Sequence, residues 1–233
     1  MQMNNIPEKI EMVRDQIAEA ADKSGRKLSD IHLIAVTKSV AANDMNLAIE
    51  NGIQDIGENR VQELLMKYNK ISGKVTWHFI GQLQTNKVKY IIDKVSLIHS
   101  LDRISLAKEI HKRCQKTGRR MPVLVQVNIA REASKAGVYQ ENLLDFLQEL
   151  SKMPSLAVQG LMMIAPFSEN PEELRPYFRR MKDWFDRLKD MDIPGVDMRY
   201  LSMGMSNDFR IAIEEGSNMV RLGSVIFGKR NNQ

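Results

Sequence analysis

The sequence is poor in cysteine, and this limits how the chain can be held together. Cys114 is its one cysteine, so no disulfide can form within the chain. Free thiols persist in reducing compartments, and we therefore expect a cytoplasmic protein. No stretch rich in proline, glycine and serine divides the sequence, so we expect a single domain over residues 1–233.

Long apolar runs and a strong charge of one sign are also missing. No run approaches the ~18–20 apolar residues of a membrane span, and the N-terminal segment alternates charged with apolar residues, unlike a secretory signal. Lys and Arg number 34 against 29 Asp and Glu, a net charge of +5 that is spread along the chain. With only 6% aromatic residues, the chain makes a poor stacking platform for bases. We expect neither a membrane nor a nucleic-acid partner.

The composition is that of a globular protein. Hydrophobic residues make up 43% and charged residues 27% of 233 positions. A chain of this length buries roughly 70–75% of its unfolded surface, so its core needs neither a disulfide nor a metal. This excludes a disordered tail, a collagen and a small disulfide scaffold.

Short apolar runs alternate with helical stretches along the chain. A helix is predicted over residues 5–24, and eight strand candidates follow. The runs cover residues 31–38, 52–59, 75–81, 95–102, 121–129, 157–165, 197–204 and 218–228. Strands that alternate with helices favour parallel βαβ units, and eight units in ~230 residues fit a (β/α)8 barrel. The rival is a doubly wound open sheet. In the barrel, the first helix is an extra element over the bottom or an edge.

Polar residues follow each apolar run, where a (β/α)8 barrel places its chemistry. Lys38 comes directly after the first run, IHLIAVT. Burial and neighbouring cations lower the pKa of a lysine and free its amine to form a Schiff base. The alternative is a lysine whose amine extends into solvent at a strand end.

Small and hydroxyl-bearing residues follow the seventh and eighth runs, in LSMGMSNDF and VRLGS. They are Ser202, Gly204, Ser206, Gly223 and Ser224. Glycine lets backbone N–H groups approach a phosphate and serine hydroxyls donate to it, so these two loops are a candidate phosphate site. Alternatively, Ser206 or Asn207 only caps the following helix.

Other polar candidates are weaker as single residues. Asn59 and His78 are candidate ligands, although each could be a hydrogen-bonded core residue. Arg221 lies on the closing strand and must meet a carboxylate or a ligand, since an unpaired buried cation is costly. The four histidines have no metal-ligand spacing, and no GxSxG motif occurs. A metal site and a serine hydrolase are therefore not expected.

Six motifs together resemble the pyridoxal phosphate homeostasis protein family. They are IAVTK, IGENRVQE, WHFIGQLQTNK, GLMMIAP, LSMGMSNDF and VRLGSVIFG, and they span about residues 30–228. The family's fold is similar to the N-terminal barrel of alanine racemase. The resemblance therefore implies the same barrel and a bound pyridoxal 5′-phosphate (PLP).

The resemblance assigns roles to individual residues. It implies that Lys38 carries PLP covalently as an imine, the Schiff base of the cofactor's aldehyde. It implies ring contacts from Asn59 and His78, a wall of Met163 and Met203, and an approach of Arg221 to the pyridine nitrogen. It implies phosphate binding by Ser202, Ser206, Gly223 and Ser224. Lys135 matches a family lysine with a secondary role in handling PLP.

The function expected from this resemblance is PLP homeostasis, as a carrier or regulator that is not an efficient enzyme and that passes cofactor to apo PLP-dependent enzymes. The alternative is an amino-acid racemase-like enzyme. Racemisation needs a second base, which alanine racemase takes from an additional β-domain, and we expect this chain, which ends at Gln233, to lack one. A lysine aldolase acting on a phosphorylated sugar is a third possibility. We expect a monomer, since no additional interface element is evident.

Overall fold

The computed structural model describes residues 5–228, and eight strands there form one closed parallel barrel. The strands are β1 (His32–Val36), β2 (Asp55–Glu58), β3 (Thr76–Phe79), β4 (Leu97–Leu101), β5 (Met121–Gln126), β6 (Leu156–Met162), β7 (Val196–Ser202) and β8 (Met219–Leu222). The helices are α1 (Ile6–Lys23), α2 (Ala42–Glu50), α3 (Val61–Tyr68), α4 (Val88–Ile91), α5 (Ile104–Gln115), α6 (Leu143–Ser151), α7 (Arg175–Lys189), α8 (Phe209–Glu214) and α9 (Ser224–Phe227).

Strand order follows the sequence, and β8 pairs in parallel with β1 to close the barrel. The closing register sets Ile34 opposite Arg221 and Ala35 opposite Leu222. The predicted (β/α)8 barrel with an additional N-terminal helix is thus confirmed, and the doubly wound open sheet is wrong.

Alternation along the strands separates two apolar clusters, because successive side chains point to opposite faces. The smaller cluster lies inside the barrel and consists of Ile34, Leu97, Leu124, Met162 and Met219. The larger cluster packs the outer face of the sheet against the helices. Polar side chains on the inner face therefore sit in a narrow, enclosed space, and they belong to the site described below.

The last apolar run, residues 218–228, contains a strand and a short helix. The strand was expected to end at residues 221–224, and β8 ends at Leu222. Its pairing with β1 stops there, and the N–H groups of Ile226 and Phe227 bond to the Gly223 carbonyl oxygen, forming α9. Apolar periodicity cannot separate a short buried strand from a buried helical turn.

The N-terminal helix α1 lies on the outside of the barrel and contacts α8, α9 and α2. Its buried residues are Ile6, Ile10, Val13, Ile17, Ala20 and Ala21. Arg14, in the middle of α1, donates to the Gly52 carbonyl oxygen at 2.8 Å, and Arg26, just after α1, donates to the Ser217 carbonyl oxygen at 2.8 Å. These bonds tie the helix and the segment after it to the barrel. No helix within residues 5–228 is long and apolar enough to cross a membrane.

Candidate cofactor site

A cavity of about 380 Å³ opens at the carboxyl ends of β1, β6, β7 and β8. Its walls carry Lys38 from the β1 side, Arg221, Gly223 and Ser224 from the β8 side, and Ser206 after β7. The volume lies in the usual range of small-molecule sites, roughly 300–1,000 Å³. The structure thus brings five of the predicted site residues to one cavity.

Lys38 is held in place by the residues around the end of β1. The backbone N–H of Thr37 donates to the Gly57 carbonyl oxygen at 3.0 Å, and this bond continues the sheet past Val36. Lys38 itself is partly buried. It also lines a neighbouring cavity of about 260 Å³, where Asp44 and Ser39 lie. Lys38 therefore lies between two cavities.

The chain behind Lys38 is fixed by a network that the sequence reasoning missed. Lys67 from α3 donates to the Thr37 carbonyl oxygen at 2.7 Å and to Glu58 Oε1 at 2.8 Å. Thr37 Oγ1 also donates to Glu58 Oε1, at 2.7 Å. Burial raises the pKa of the Glu58 carboxyl, against the hydrogen bonds and the charge of Lys67. A helical lysine with acidic residues near it gives no distinctive signal in a sequence.

The loop after β7 takes its shape from Gly204. Its φ is +95°, and a Cβ at this position would lie 2.7 Å from Ala212 Cβ and 2.9 Å from Phe209 Cα. Only glycine adopts this conformation so close to α8 without strain. The turn brings Ser206 to β8, where its Oγ accepts a hydrogen bond from the Gly223 N–H at 3.3 Å. The seventh and eighth loops are therefore joined directly.

Asp208 is a second residue that the sequence reasoning passed over. It, and not Ser206 or Asn207, occupies the N-cap position of α8, and it lines the cavity. Its Oδ1 accepts from the Met205 N–H at 2.5 Å. Burial raises the pKa of the Asp208 carboxyl, against the Met205 hydrogen bond and the charge of Arg221. The aspartate in the motif LSMGMSNDF was the sequence feature that could have indicated this role.

Arg221 is 4% exposed and is held by acceptors from two other strands. Nη1 donates to the Ser202 carbonyl oxygen at 2.9 Å and to Ser202 Oγ at 2.7 Å, and Nη2 donates to the Met163 carbonyl oxygen at 2.8 Å. Burial lowers the pKa of Arg221 to about 10, while the charge of Asp208 opposes that change. Arg221 therefore remains a cation at neutral pH.

The other predicted site residues do not line this cavity. Ser202, Met163 and Met203 are buried, and Ser202 and Met163 bind Arg221 instead. Asn59 lies at the end of β2, where its buried Oδ1 has no hydrogen-bond partner. His78 lies inside the barrel and contacts His99. Their roles toward a ligand stay predictions.

Two features mark the rim of the cavity. Lys135 lines it, and its Nζ lies 2.9 Å from both Glu132 Oε1 and the Ala165 carbonyl oxygen. Phe167, on the loop after β6, also lines it and is 83% exposed. Within residues 5–228, no group of three or more His, Cys, Asp or Glu side chains could hold a metal ion.

Comparison with known proteins agrees with this geometry. The sequence profile of the alanine racemase N-terminal domain family matches residues 12–231. A pyridoxal phosphate homeostasis protein of Aquifex aeolicus is 44% identical over 227 residues, 97% of this chain and 99% of that protein. The chain belongs to the pyridoxal phosphate homeostasis protein family. The family assignment made from the sequence motifs is confirmed.

Solved structures of similar proteins extend the match to three dimensions. An unknown protein from Bifidobacterium adolescentis has a TM-score of 0.88 and 32% identity, covering 95% of this chain and 94% of that one. PipY of Synechococcus elongatus with PLP bound has a TM-score of 0.83 and 30% identity, covering 96% of this chain and all, 100%, of PipY. PipY, a protein with this barrel, thus binds PLP.

Proposed function

We propose that the chain binds PLP in the cavity through a Schiff base on Lys38 and serves in PLP homeostasis as a carrier or regulator. One observation carries the proposal. An amine from β1 and the Gly223–Ser224 segment after β8 line the same cavity of about 380 Å³. A small ring that carries an aldehyde and a phosphate matches these two walls, with the aldehyde toward the amine and the phosphate toward the Gly223–Ser224 segment. PLP carries both groups.

The residues present fit PLP in chemical type. Ser206 and Ser224 offer hydroxyls where a phosphate would lie, and Gly223 lines the cavity beside them. Arg221 contributes a buried cation, which would lie against the pyridine nitrogen. Asn59 lies outside the cavity lining, and its Oδ1 is a buried acceptor without a partner, so we keep its contact with the ring as part of the proposal. We propose Ser202, Met163, Met203 and His78 as a supporting layer behind these contacts.

The covalent step needs only the lysine and the aldehyde. With PLP bound, the Lys38 amine would condense with the aldehyde, a C=N bond would replace the C=O bond, and one water would be released. Attack by water or another amine on the same carbon would reverse the reaction, so Lys38 would hold the cofactor without trapping it. This suits a protein that keeps free aldehyde low and gives PLP back to apo-enzymes.

Arg221 favours binding of PLP over efficient catalysis with it. When bound, PLP supplies an electron sink whose strength depends on a protonated ring nitrogen. A neighbouring cation disfavours that proton by like-charge repulsion. Alanine racemase also places an arginine there, so this feature alone leaves racemisation open. The relatives' names, which describe homeostasis, also support the non-enzymatic assignment.

The test starts with the absorbance spectrum of the purified protein with added PLP, followed by borohydride reduction and peptide mass mapping. We expect a yellow protein with the pyridoxyl mass on Lys38. Lys38→Ala should lose both signals. Lys135→Ala is the matched control, because it removes the other lysine of this cavity. A colourless wild type without a reducible adduct would overturn the proposal and favour a lysine aldolase.

The racemase-like enzyme remains the second candidate, because the alanine racemase N-terminal domain profile covers most of the chain. It predicts sustained interconversion of D- and L-amino acids by the loaded protein, measured by chiral chromatography. We expect no sustained turnover. We further propose that the protein is cytoplasmic and that all 233 residues form one domain. We also propose that it is a monomer, and light scattering would measure this.

A further inference from the structure

A chain of polar side chains crosses the interior of the barrel beneath the cavity. It begins at Arg221 and Ser202 Oγ, 2.7 Å apart, and His99 Nδ1 lies 3.3 Å from the same hydroxyl. His99 Nε2 then lies 3.0 Å from His78 Nδ1, and His78 Nε2 lies 2.9 Å from Asp55 Oδ1. Five side chains on five strands thus connect the cavity to the first residue of β2.

The end at Arg221 limits the hydrogen bonds of the chain, because a guanidinium has only donors. Ser202 Oγ therefore accepts from Arg221 and keeps its own proton, which it can donate to His99 Nδ1. In that order His99 donates from Nε2 to His78 Nδ1, and His78 donates from Nε2 to Asp55 Oδ1. Every contact of the chain then joins one donor to one acceptor.

The burial of His99 keeps this arrangement in place. His99 is fully buried, and its burial, together with His78 and Arg221, lowers its pKa well below the usual range. A charged His99 would donate from both ring nitrogens, so it would no longer accept the Ser202 proton. The charged groups around this histidine are Arg221 and, beyond His78, Asp55.

The chain determines which N–H groups of Arg221 remain available. Three of its hydrogen bonds go to Ser202 and Met163, and a guanidinium has five N–H donors. Two donors are left on a side chain that lines the cavity. If Ser202 lost its fixed orientation, Nη1 would lose one of its two acceptors, and the guanidinium could turn.

We propose that His99 and His78 are positioning residues, which hold Arg221 in the orientation that meets the ring nitrogen of bound PLP. The inference rests on the proposed function. It adds that recognition of this nitrogen depends on side chains that do not touch the cofactor. A merely structural role would instead make the two histidines satisfied polar groups of the core, with no effect on which ring is bound.

The test compares PLP with its deaza analogue, in which CH replaces the ring nitrogen. We expect the wild type to prefer PLP by about tenfold, the value of roughly one charge-assisted hydrogen bond. His99→Leu removes both contacts and should abolish the preference, while affinity for the analogue stays unchanged. His99→Gln retains one acceptor and one donor and should restore much of the preference.

A second variant protects the test against misfolding. Asp55 lies at the accessible end of the chain, with 25% of its side chain exposed. Asp55→Asn retains an acceptor but removes the charge, and it should weaken the preference without unfolding the barrel. A folded His99→Leu protein that still discriminates between the two rings would overturn the inference.

The unloaded protein provides an independent measurement. Nitrogen-15 NMR of the histidine rings should show His99 neutral and protonated on Nε2, with His78 Nδ1 accepting that proton. Protonation of His99 on Nδ1 would break the chain as described. A wild type that forms no adduct with PLP would overturn the proposed function, whereas a loaded wild type with unaltered preference in both variants would overturn only the positioning role.

Discussion

Lys67 Nζ lies 2.7 Å from the carbonyl oxygen of Thr37, the residue directly before Lys38. The same amine contacts Glu58 at 2.8 Å and Glu63 at 3.2 Å. One lysine thus neutralises two carboxylates and fixes the backbone that carries another lysine into the cavity. The position of Lys38 depends on α3 as much as on β1.

Lys67→Met should destabilise the protein. It leaves Glu58 buried without its cation, and breaking a buried ion pair from one side costs about 3–5 kcal/mol. Urea unfolding measures the loss, and borohydride trapping on Lys38 should fall with it. Lys70→Met, an exposed lysine shortly after α3, is the control and should change neither. Equal stability of the two variants would show that the Lys67 network contributes little.

Gly204→Ala should disturb the loop that joins β7 to α8. Its φ is +95° and the new Cβ would lie 2.7 Å from Ala212 Cβ, so backbone strain of about 1–3 kcal/mol adds to a steric clash. Gly118→Ala has a comparable positive φ, +63°, but open space around the Cβ. Denaturant midpoints should fall more for Gly204→Ala. PLP affinity should fall only in that variant, since Gly118 is far from the cavity loops in sequence and fold.

Ser224→Ala should separate phosphate binding from aldehyde binding. We expect PLP affinity to fall about tenfold, since a hydrogen bond to a charged group contributes about 1.5–3 kcal/mol, while unphosphorylated pyridoxal binds as before. Fluorescence titration with both compounds checks this. Ser168→Ala is the matched control, because Ser168 lines the same cavity but its Oγ lies 2.7 Å from Glu173 Oε2 and 2.9 Å from the Asn170 carbonyl oxygen. Equal losses for PLP and pyridoxal would argue against a phosphate contact.

The rate at which Cys114 is labelled should measure how often the barrel unfolds. It is fully buried on α5, and burial raises the pKa of its thiol. The reactive thiolate is therefore scarce in the folded state, and a raised pKa keeps it so as pH rises from 7 to 8. Iodoacetamide should label the native protein only through unfolding, and saturating PLP should slow labelling further. Rapid labelling of the native protein at pH 7 would contradict this.

The sequence by itself determined the fold and the chemical centre of the site. The alternation of strands and helices predicted the barrel, because each unit is a local pattern and chain order sets strand order. It also predicted Lys38, Gly223 and Ser224 at one mouth, because the carboxyl ends of parallel strands meet at the same end of a barrel. The helical turn α9 within the last apolar run was not predicted, because an apolar run of this length fits a short buried strand and a buried helical turn equally well.

Only the tertiary structure decided which side chains support that centre. Three supporting contacts join residues from separate elements. They are Lys67 with Thr37, Asp208 with Arg221, and the two histidines that link Ser202 to Asp55. His78 and His99 lie 21 residues apart, and His99 and Ser202 lie 103 apart. No local pattern encodes such contacts, because strand register and barrel closure bring distant inward-facing residues to the same level. The need to satisfy buried hydrogen-bonding groups in that enclosed space then limits which of them can pair.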